Sequence, residues 1–452
     1  MKLKSAIALL SLSMLILGGV NTLMANELSK KDKEKVIENV AQALESHYVL
    51  EDKAMQFANK LRQLNSEKIF NANGSKKEFA AALNEELYKI TNDKHVSVKS
   101  GQGNPTSMAP TRKMVRINPN DKQSNQNKKR RAGMFPGKSL KTEVMAGNVG
   151  VLRVNNLMSS IEDMDDAMAK LIHTDSLIID VRECPGGRGD VATRLVSYLS
   201  KEGTELMRYY TRGKPVLVTR SENLPENANH YLNKPVYIAT SDRTGSACEQ
   251  LAYQLKYHNI ATVIGETTAG AGHALMKGDN GLIPVGYGMK AFIPNTKPMH
   301  PNNNEGFEKI GVPVDINTTA TIAIDKAYQL ILTSSIDENG TDKALLSGLL
   351  IESSIKVNKQ LIQQAKNRVK YQELLGNYEK ERALVFDFGV LKYQSPTGRK
   401  IPLKMLKDDQ FTMLSPRAPF NVNIMRDEDG NVMAMKLSPK SGTGKVLTLK
   451  RI

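Results

Sequence analysis

Near the start of the chain, apolar residues recur three or four positions apart, the spacing of one helix face. Over Asp32–Tyr48 that face is Val36, Ile37, Val40, Ala41, Leu44 and Tyr48. A second stretch carries Ala54, Phe57, Ala58, Leu61 and Leu64. A third opens with Ser75-Lys76-Lys77-Glu78 and continues through Phe79, Ala82, Leu83, Glu86, Leu87 and Ile90. Its opening is a capping-box pattern, in which hydroxyl and carboxylate satisfy the first free N–H groups. These three predict a small helical domain over residues 26–99, ending at Thr91-Asn92-Asp93-Lys94-His95. After it, Val96 and Val98 alternate with polar residues, as in a strand.

The pattern then lapses. Gly101–Lys141 is rich in Asn, Pro, Lys, Ser and Gly without a sustained period, so residues 100–143 read as a linker or surface loop. Val144–Val154 reads as strand, and Ile161, Met164, Met168, Leu171 and Ile172 as a helix face. Leu177–Val181 is a compact apolar strand leading into Arg182-Glu183-Cys184-Pro185-Gly186-Gly187, and the segment around Val191, Leu195, Tyr198 and Leu199 is again helical. Strand alternating with helix argues an α/β core, placed over 144–335. Asp279-Asn280-Gly281 is a hairpin signal, with short strands following towards Pro294. A helix-like segment, Asp342–Gln372, is the expected connection over 336–373, and from Leu374 short strand-like runs suggest a small β domain over 374–452. Turns are expected there at Ser395–Gly398 and Asp427–Asn431.

With 452 residues, 40% apolar and 24% charged, the chain has room for two or three domains. Its start has Lys2 and Lys4, then an apolar run from Ala6 to Leu17, and no acid through Gly18. That is a signal-peptide pattern over 1–25, too short for a good membrane span, and it predicts export to the periplasm or beyond. Leu23-Met24-Ala25 is an imperfect cleavage site, since Leu23 stands where a small residue is expected. The net charge of +16 is partly local: Arg112–Lys141 carries ten basic residues against Asp121. Without interleaved aromatics or a recognition fold, this does not predict nucleic-acid binding, while attraction to acidic membrane surfaces stays open. Two cysteines, Cys184 and Cys248, fit a disulfide or two buried thiols equally well. Neither HExxH nor paired CxxC spacing occurs, so no metal and no cofactor is expected. Oligomeric state is not legible.

The chain centres on Pro235–Glu266. Val236–Thr240 has the β-branched, apolar content of a buried strand, Ser241–Gly245 is turn-forming, and Ala247, Leu251, Ala252 and Leu255 recur at helical spacing. A serine at this strand-to-helix junction, Ser246, is either a helix cap or a nucleophile set beside free N–H groups.

Three blocks in order resemble those of the C-terminal processing (tail-specific) serine peptidase family, in particular its branch of tricorn protease and interphotoreceptor retinoid-binding modules. They are LIIDVRECPGG (Leu177–Gly187), TSDRTGSACEQLA (Thr240–Ala252) followed by IGETTAG (Ile264–Gly270), and FEKIGVPVDI (Phe307–Ile316). The resemblance spans about Asp32–Leu332 and implies an α/β, ClpP/crotonase-like core with an N-terminal helical domain and a small C-terminal β domain. It identifies Ser246, three residues before Glu249, as the nucleophile. The lysine base of one branch is replaced by Ala271, so a Ser–Lys dyad at that position is excluded. The tricorn-like base falls on His95, with His273 in reserve, and the supporting glutamate on Glu308. Cys184 stands at a position usually Asn in the family, and Lys94 where tricorn-like members often have serine.

The chemistry suits these types. A serine hydroxyl needs a base near neutral pH, histidine titrates there, and a carboxylate fixes its tautomer. The N–H groups of Gly186 or Gly187 with Ala247 are oxyanion-hole candidates. The substrates implied are peptides or unfolded protein. No PDZ module fits between His95 and Val144, so tail specificity is not supported. A non-catalytic ligand- or peptide-binding module on the same fold is the alternative, as the retinoid-binding relatives illustrate.

Overall fold

The computed structural model describes residues 27–70, 75–100, 139–275, 282–338, 343–387, 390–396, 398, 400–414, 420–442 and 446–452. The expected leader, most of the basic stretch Arg112–Lys141 and the Asp279–Gly281 turn lie outside the described residues. In chain order the helices are α1 (Lys30–His47), α2 (Glu51–Ser66), α3 (Lys76–Thr91), α4 (Ile161–Leu171), α5 (Gly189–Leu199), α6 (Ala247–Tyr257), α7 (Ala323–Glu338) and α8 (Lys343–Tyr371). The strands begin with β1 (Ser97–Ser100), β2 (Leu140–Met145), β3 (Val149–Val154), β4 (Ser176–Asp180), β5 (Glu205–Thr211), β6 (Leu217–Arg220), β7 (Val236–Thr240) and β8 (Thr262–Gly265). They continue with β9 (Leu282–Gly286), β10 (Met289–Phe292), β11 (Thr296–Met299), β12 (Ile316–Asn317), β13 (Gly376–Tyr378), β14 (Arg382–Asp387), β15 (Val390–Gln394), β16 (Lys400–Lys407), β17 (Gln410–Met413), β18 (Phe420–Arg426), β19 (Val432–Pro439) and β20 (Leu447–Lys450).

Two units are distinguished. The smaller comprises Met1–Arg116, Tyr209–Leu217 and His273–Pro298; the larger comprises Ile117–Arg208, Val218–Gly272 and Met299–Ile452. In the smaller, α1 and α3 start as their sequences dictate. The Ser29 and Ser75 hydroxyls accept from the N–H three residues on, at 3.2 Å, while Asp32 and Glu78 reach back to the cap N–H at 3.1 Å. The apolar faces of α1–α3 bury Val36, Leu44, Leu61, Phe79, Leu83 and Leu87 against a three-stranded antiparallel sheet, β1-β10-β9, through Val98, Val285, Met289 and Ala291. The β9–β10 hairpin turns at Tyr287-Gly288, both at positive φ. Asn92, left-handed at φ 48, ψ 36, ends α3 and turns the chain into Asp93-Lys94-His95.

The larger unit is built on a six-stranded sheet, β12-β8-β7-β4-β3-β2. Its strands pair in parallel except β2, which runs antiparallel to β3. The strand expected over Val144–Val154 is therefore two, with Gly147 and Asn148 at positive φ between them. β2 also begins at Leu140, inside the stretch read as linker, and α7 runs to Glu338, past the expected core end at 335. One sheet face packs Val149, Val151, Ile178, Ala239 and Ile264 against Ala323, Ala327, Ile331 and Leu332 of α7 and Leu346 of α8. Leu177 and Ile179, which alternation sends to the other face, are equally buried, so the strands read as unbroken apolar runs because both faces are covered.

The C-terminal strands form an eight-stranded meander, β13 to β20 in order. It closes on itself: the Tyr378 and Arg451 backbones bridge, Glu379 N–H donates to Lys450 C=O at 2.9 Å and Ile452 N–H to Asn377 C=O at 3.0 Å. The result is a small barrel filled by Leu384, Leu391, Tyr393, Phe411, Met413, Val422, Met435 and Leu449. Phe411 is 1% exposed and meets the Tyr371 ring edge-on, centroids 5.9 Å apart. Phe411→Ala should lower stability by about 3–5 kcal/mol through lost burial and a residual cavity, read as a fall in the urea midpoint. An unchanged midpoint would show that the barrel interior is not packed as described.

Candidate active site

The three motif loops leave the C-terminal ends of β4, β7 and β8, which are neighbours in the parallel sheet. In open parallel sheets that edge is where ligands and reacting groups gather. Direct bonds hold the loops in register. Thr244 Oγ1 donates to Val181 C=O at 2.9 Å, Gly245 N–H to Cys184 C=O at 2.9 Å, and Ala269 N–H to Thr244 C=O at 2.9 Å.

Ser246 stands at the head of α6 with φ 53 and ψ −121, a conformation a non-glycine residue enters at a cost of about 1–3 kcal/mol. A sharp strand-to-helix turn of this kind is how α/β hydrolases expose a nucleophile. The surrounding bonds that maintain it converge on Glu249, whose buried carboxylate takes Ser246 N–H at 2.8 Å, Thr268 Oγ1 at 2.7 Å, Gly270 N–H at 2.5 Å and Ala271 N–H at 2.8 Å. Burial pushes this carboxyl above its ordinary value, against those four donors. Glu249, which singles out the serine through the family resemblance, thus supports it physically. Ala271, at the lysine position of the other branch, contributes its N–H to the same carboxylate.

Gly186, at φ 120, lies so close that a Cβ would come within 2.8 Å of Ser246 Cβ and 3.1 Å of Gly245 O. At Gly187, φ 149, a Cβ would meet the Leu157 backbone at 2.4 Å. Side chains are excluded from both positions, which brings bare backbone beside Ser246 and Ala247. Cys184 and Cys248 are bonded to each other, both fully buried, with Cα atoms 6.1 Å apart; this ties the glycine loop to the first turn of α6. Glu308 lies over the third loop: its Oε2 accepts Gly272 N–H at 2.7 Å, and Lys309 N–H donates to Gly270 C=O at 2.9 Å. Ser246, Ala247, Gly186, Gly187 and Glu308 all belong to the larger unit.

His95 and His273 belong to the smaller unit, where they share Asp93. The Asp93 carboxylate is fully buried; Oδ1 accepts the His95 backbone N–H at 2.9 Å, and Oδ2 lies 3.1 Å from Tyr48 Oη and 2.7 Å from His273 Nδ1. An ionised carboxylate only accepts, so the His273 nitrogen that faces it, Nδ1, carries a proton. Burial alone would push the Asp93 carboxyl up; the hydrogen bond and charge of His273 outweigh it and leave Asp93 below its ordinary value. The His95 ring stacks on Phe292, centroids 6.0 Å apart, and its buried Nδ1 has no hydrogen-bond partner among the described residues. Burial lowers the His95 pKa below 6.5, Asp93 opposing and His273 and Lys94 adding to the effect. Asp93 was not singled out in the sequence, although an acid two residues before a candidate base is a readable signal.

Two outcomes follow from these geometries. Glu249→Gln would turn an acceptor of four donors into a part-donor and should cost about 1–3 kcal/mol in urea unfolding. For His95, the folded pKa is depressed, so its stabilisation is complete above pH 6.5 and is lost as pH falls from there towards the folded pKa. The urea midpoint of the wild type should fall as pH drops below 6.5, and less so for His95→Asn; equal falls would contradict the burial of a neutral ring.

Two family models match consecutive parts of the chain. One, the N-terminal domain of peptidase S41 in eukaryotic IRBP, matches residues 28–145; the other, peptidase family S41, matches 148–318. Similar solved structures include a lipoprotein from Streptococcus agalactiae, at 13% identity and TM-score 0.43 over 67% of this chain and 96% of that one. Another is a photosystem II D1 C-terminal processing protease, at 14% identity and TM-score 0.41 over 64% and 94%. Mature CPAF has 13% identity and TM-score 0.43 over 68% and 99%. Taken with the ordered motifs and the loops they form, the matched family models mean that the chain belongs to peptidase family S41, the C-terminal processing peptidases, and is a serine-type peptidase.

Proposed function

We propose that the chain is an exported endopeptidase that cleaves peptides or unfolded protein segments through an acyl-enzyme on Ser246. The observation that carries this is the strained Ser246 at the head of α6, with its N–H held by the buried Glu249. In this reading Ser246 Oγ bonds to the scissile carbonyl carbon while its proton passes to His95, which Glu308 orients. The oxyanion is received by the N–H groups of Gly186 or Gly187 and of Ala247. Collapse breaks the C–N bond and returns the proton to the leaving amine; water, deprotonated by the same base, then hydrolyses the ester. The neutral state imposed on His95 by burial suits a proton acceptor. Ala271 leaves no lysine at the position where a Ser–Lys enzyme carries its base.

A second reading gives the base role to His273, and a specific contact favours it: Nδ1 lies 2.7 Å from the Asp93 carboxylate, the arrangement that fixes a histidine tautomer. Export is supported by the Lys2/Lys4 start, the apolar run Ala6–Leu17 and the Cys184–Cys248 disulfide, a bond that persists in oxidising compartments.

Ser246→Ala should reduce hydrolysis of a fluorogenic casein roughly a thousandfold or more, and a fluorophosphonate should label wild-type Ser246 covalently. No labelling of folded protein would favour the binding-module alternative. His95→Ala and His273→Ala, assayed separately for labelling, decide between the bases: the true base suffers the larger loss.

A further inference from the structure

The C-terminal barrel carries a buried lysine whose charge is paired outside the barrel. On β15, Leu391 and Tyr393 point into the barrel interior, and alternation sends Lys392 outward. An outward lysine on a small barrel ordinarily reaches water. Lys392 is instead 1% exposed, and its Nζ lies 2.8 Å from Asp242 Oδ2.

Asp242 is the second residue of the turn Ser241–Gly245 that delivers Ser246 to the head of α6. The turn's other anchors come from the core: Ser241 Oγ on Arg182 C=O, Arg243 on Glu183, and Thr244 Oγ1 on Val181 C=O. Asp242 N–H approaches Glu266 Oε2 at 3.4 Å, and Glu266 Oε1 accepts Ala320 N–H at 2.7 Å. The lysine charge therefore stands beside two acids, one from the nucleophile block and one from the IGETTAG block. Neither acid has a part in the peptidase chemistry above. A buried ammonium without a partner is costly, so the pair ties the barrel to the turn.

We propose that Lys392 is a positioning residue for catalysis, supplied by the barrel, which holds the nucleophile turn through Asp242. The role rests on the reading of Ser246 as nucleophile. It gives the C-terminal domain a function that requires no substrate contact: the docked barrel adds to the Glu249 bonds in holding the turn that presents the strained serine.

The test separates the latch from the chemistry. In hydrogen exchange by mass spectrometry, Lys392→Met should speed exchange of the peptide covering 239–250, whereas Lys404→Ala, an exposed barrel lysine, should not. Fluorophosphonate labelling of Ser246 should slow about tenfold or more, since a displacement on the order of 1 Å costs that much. In casein hydrolysis kcat should fall by a similar factor with KM within about twofold. Lys392→Arg, which keeps the charge, should recover part of both. If Lys392→Met does not fold, Asp242→Asn removes the same pair from the other side and must give the same exchange and labelling changes. In a double-mutant cycle the two changes together should cost no more than the larger alone. Unchanged exchange, or faster exchange with unchanged labelling, overturns the proposal. Absence of labelling in the wild type itself would sink the serine reading, while the exchange measurement would still decide whether the latch exists.

Discussion

One buried carboxylate governs the nucleophile region. Glu249 is shut off from solvent and holds four donors from two chain segments: Ser246 N–H, Thr268 Oγ1, Gly270 N–H and Ala271 N–H. Desolvating a carboxylate is costly, and only a full set of donors makes it tolerable. The loop after β8 therefore has to close over the head of α6, and Ser246 has to accept its left-handed φ for its N–H to be among the donors. The glycines follow from the same crowding. Gly186, Gly187, Gly270 and Gly272 each sit where an added Cβ would come within 2.8 Å or less of a neighbour.

This explains what the amino-acid sequence discloses. The helices of the smaller unit are legible because their apolar spacing acts locally, and the ends of α1 and α3, which open with capping boxes, fall within two residues of those expected. The buried strands β4 and β7 are legible because both faces must be apolar. The hairpin β2–β3 is not, since Gly147-Asn148 is a weak signal inside an otherwise β-rich run and apolar content alone does not mark a reversal. The reversal at Tyr287-Gly288 is weakly marked for a related reason: tyrosine is not among the residues that favour a positive φ. At the candidate site, the strand-to-helix junction marks Ser246 as a cap or a nucleophile, and the resemblance to the family decides for the nucleophile and brings in Glu249 and the paired glycines. Partners far apart in the chain carry no such mark. Asp93 meets His273 across 180 positions and Asp242 meets Lys392 across 150, and no periodicity connects them.

The two histidines illustrate how one carboxylate can differentiate its neighbours. Asp93 binds His273 through the ring and His95 through the backbone, so only His273 has its ring nitrogen fixed by charge. His95 is held by stacking and burial, which keep it neutral without fixing its tautomer. A base of the first kind is oriented before substrate arrives; one of the second kind depends on other groups for its orientation.

The smaller unit is assembled from three separate segments of chain, and this bears on the order of synthesis. Its helices emerge within the first hundred residues, yet the core they bury against includes Val285, Met289, Ala291 and Ile293. Until the ribosome has passed that point, the apolar faces of α1–α3 lack the strands that cover them. A nascent chain must carry those exposed faces through the whole synthesis of the parallel sheet. Folding of this unit cannot finish domain by domain from the N-terminus, and a fragment cut after β1 would leave its own core open.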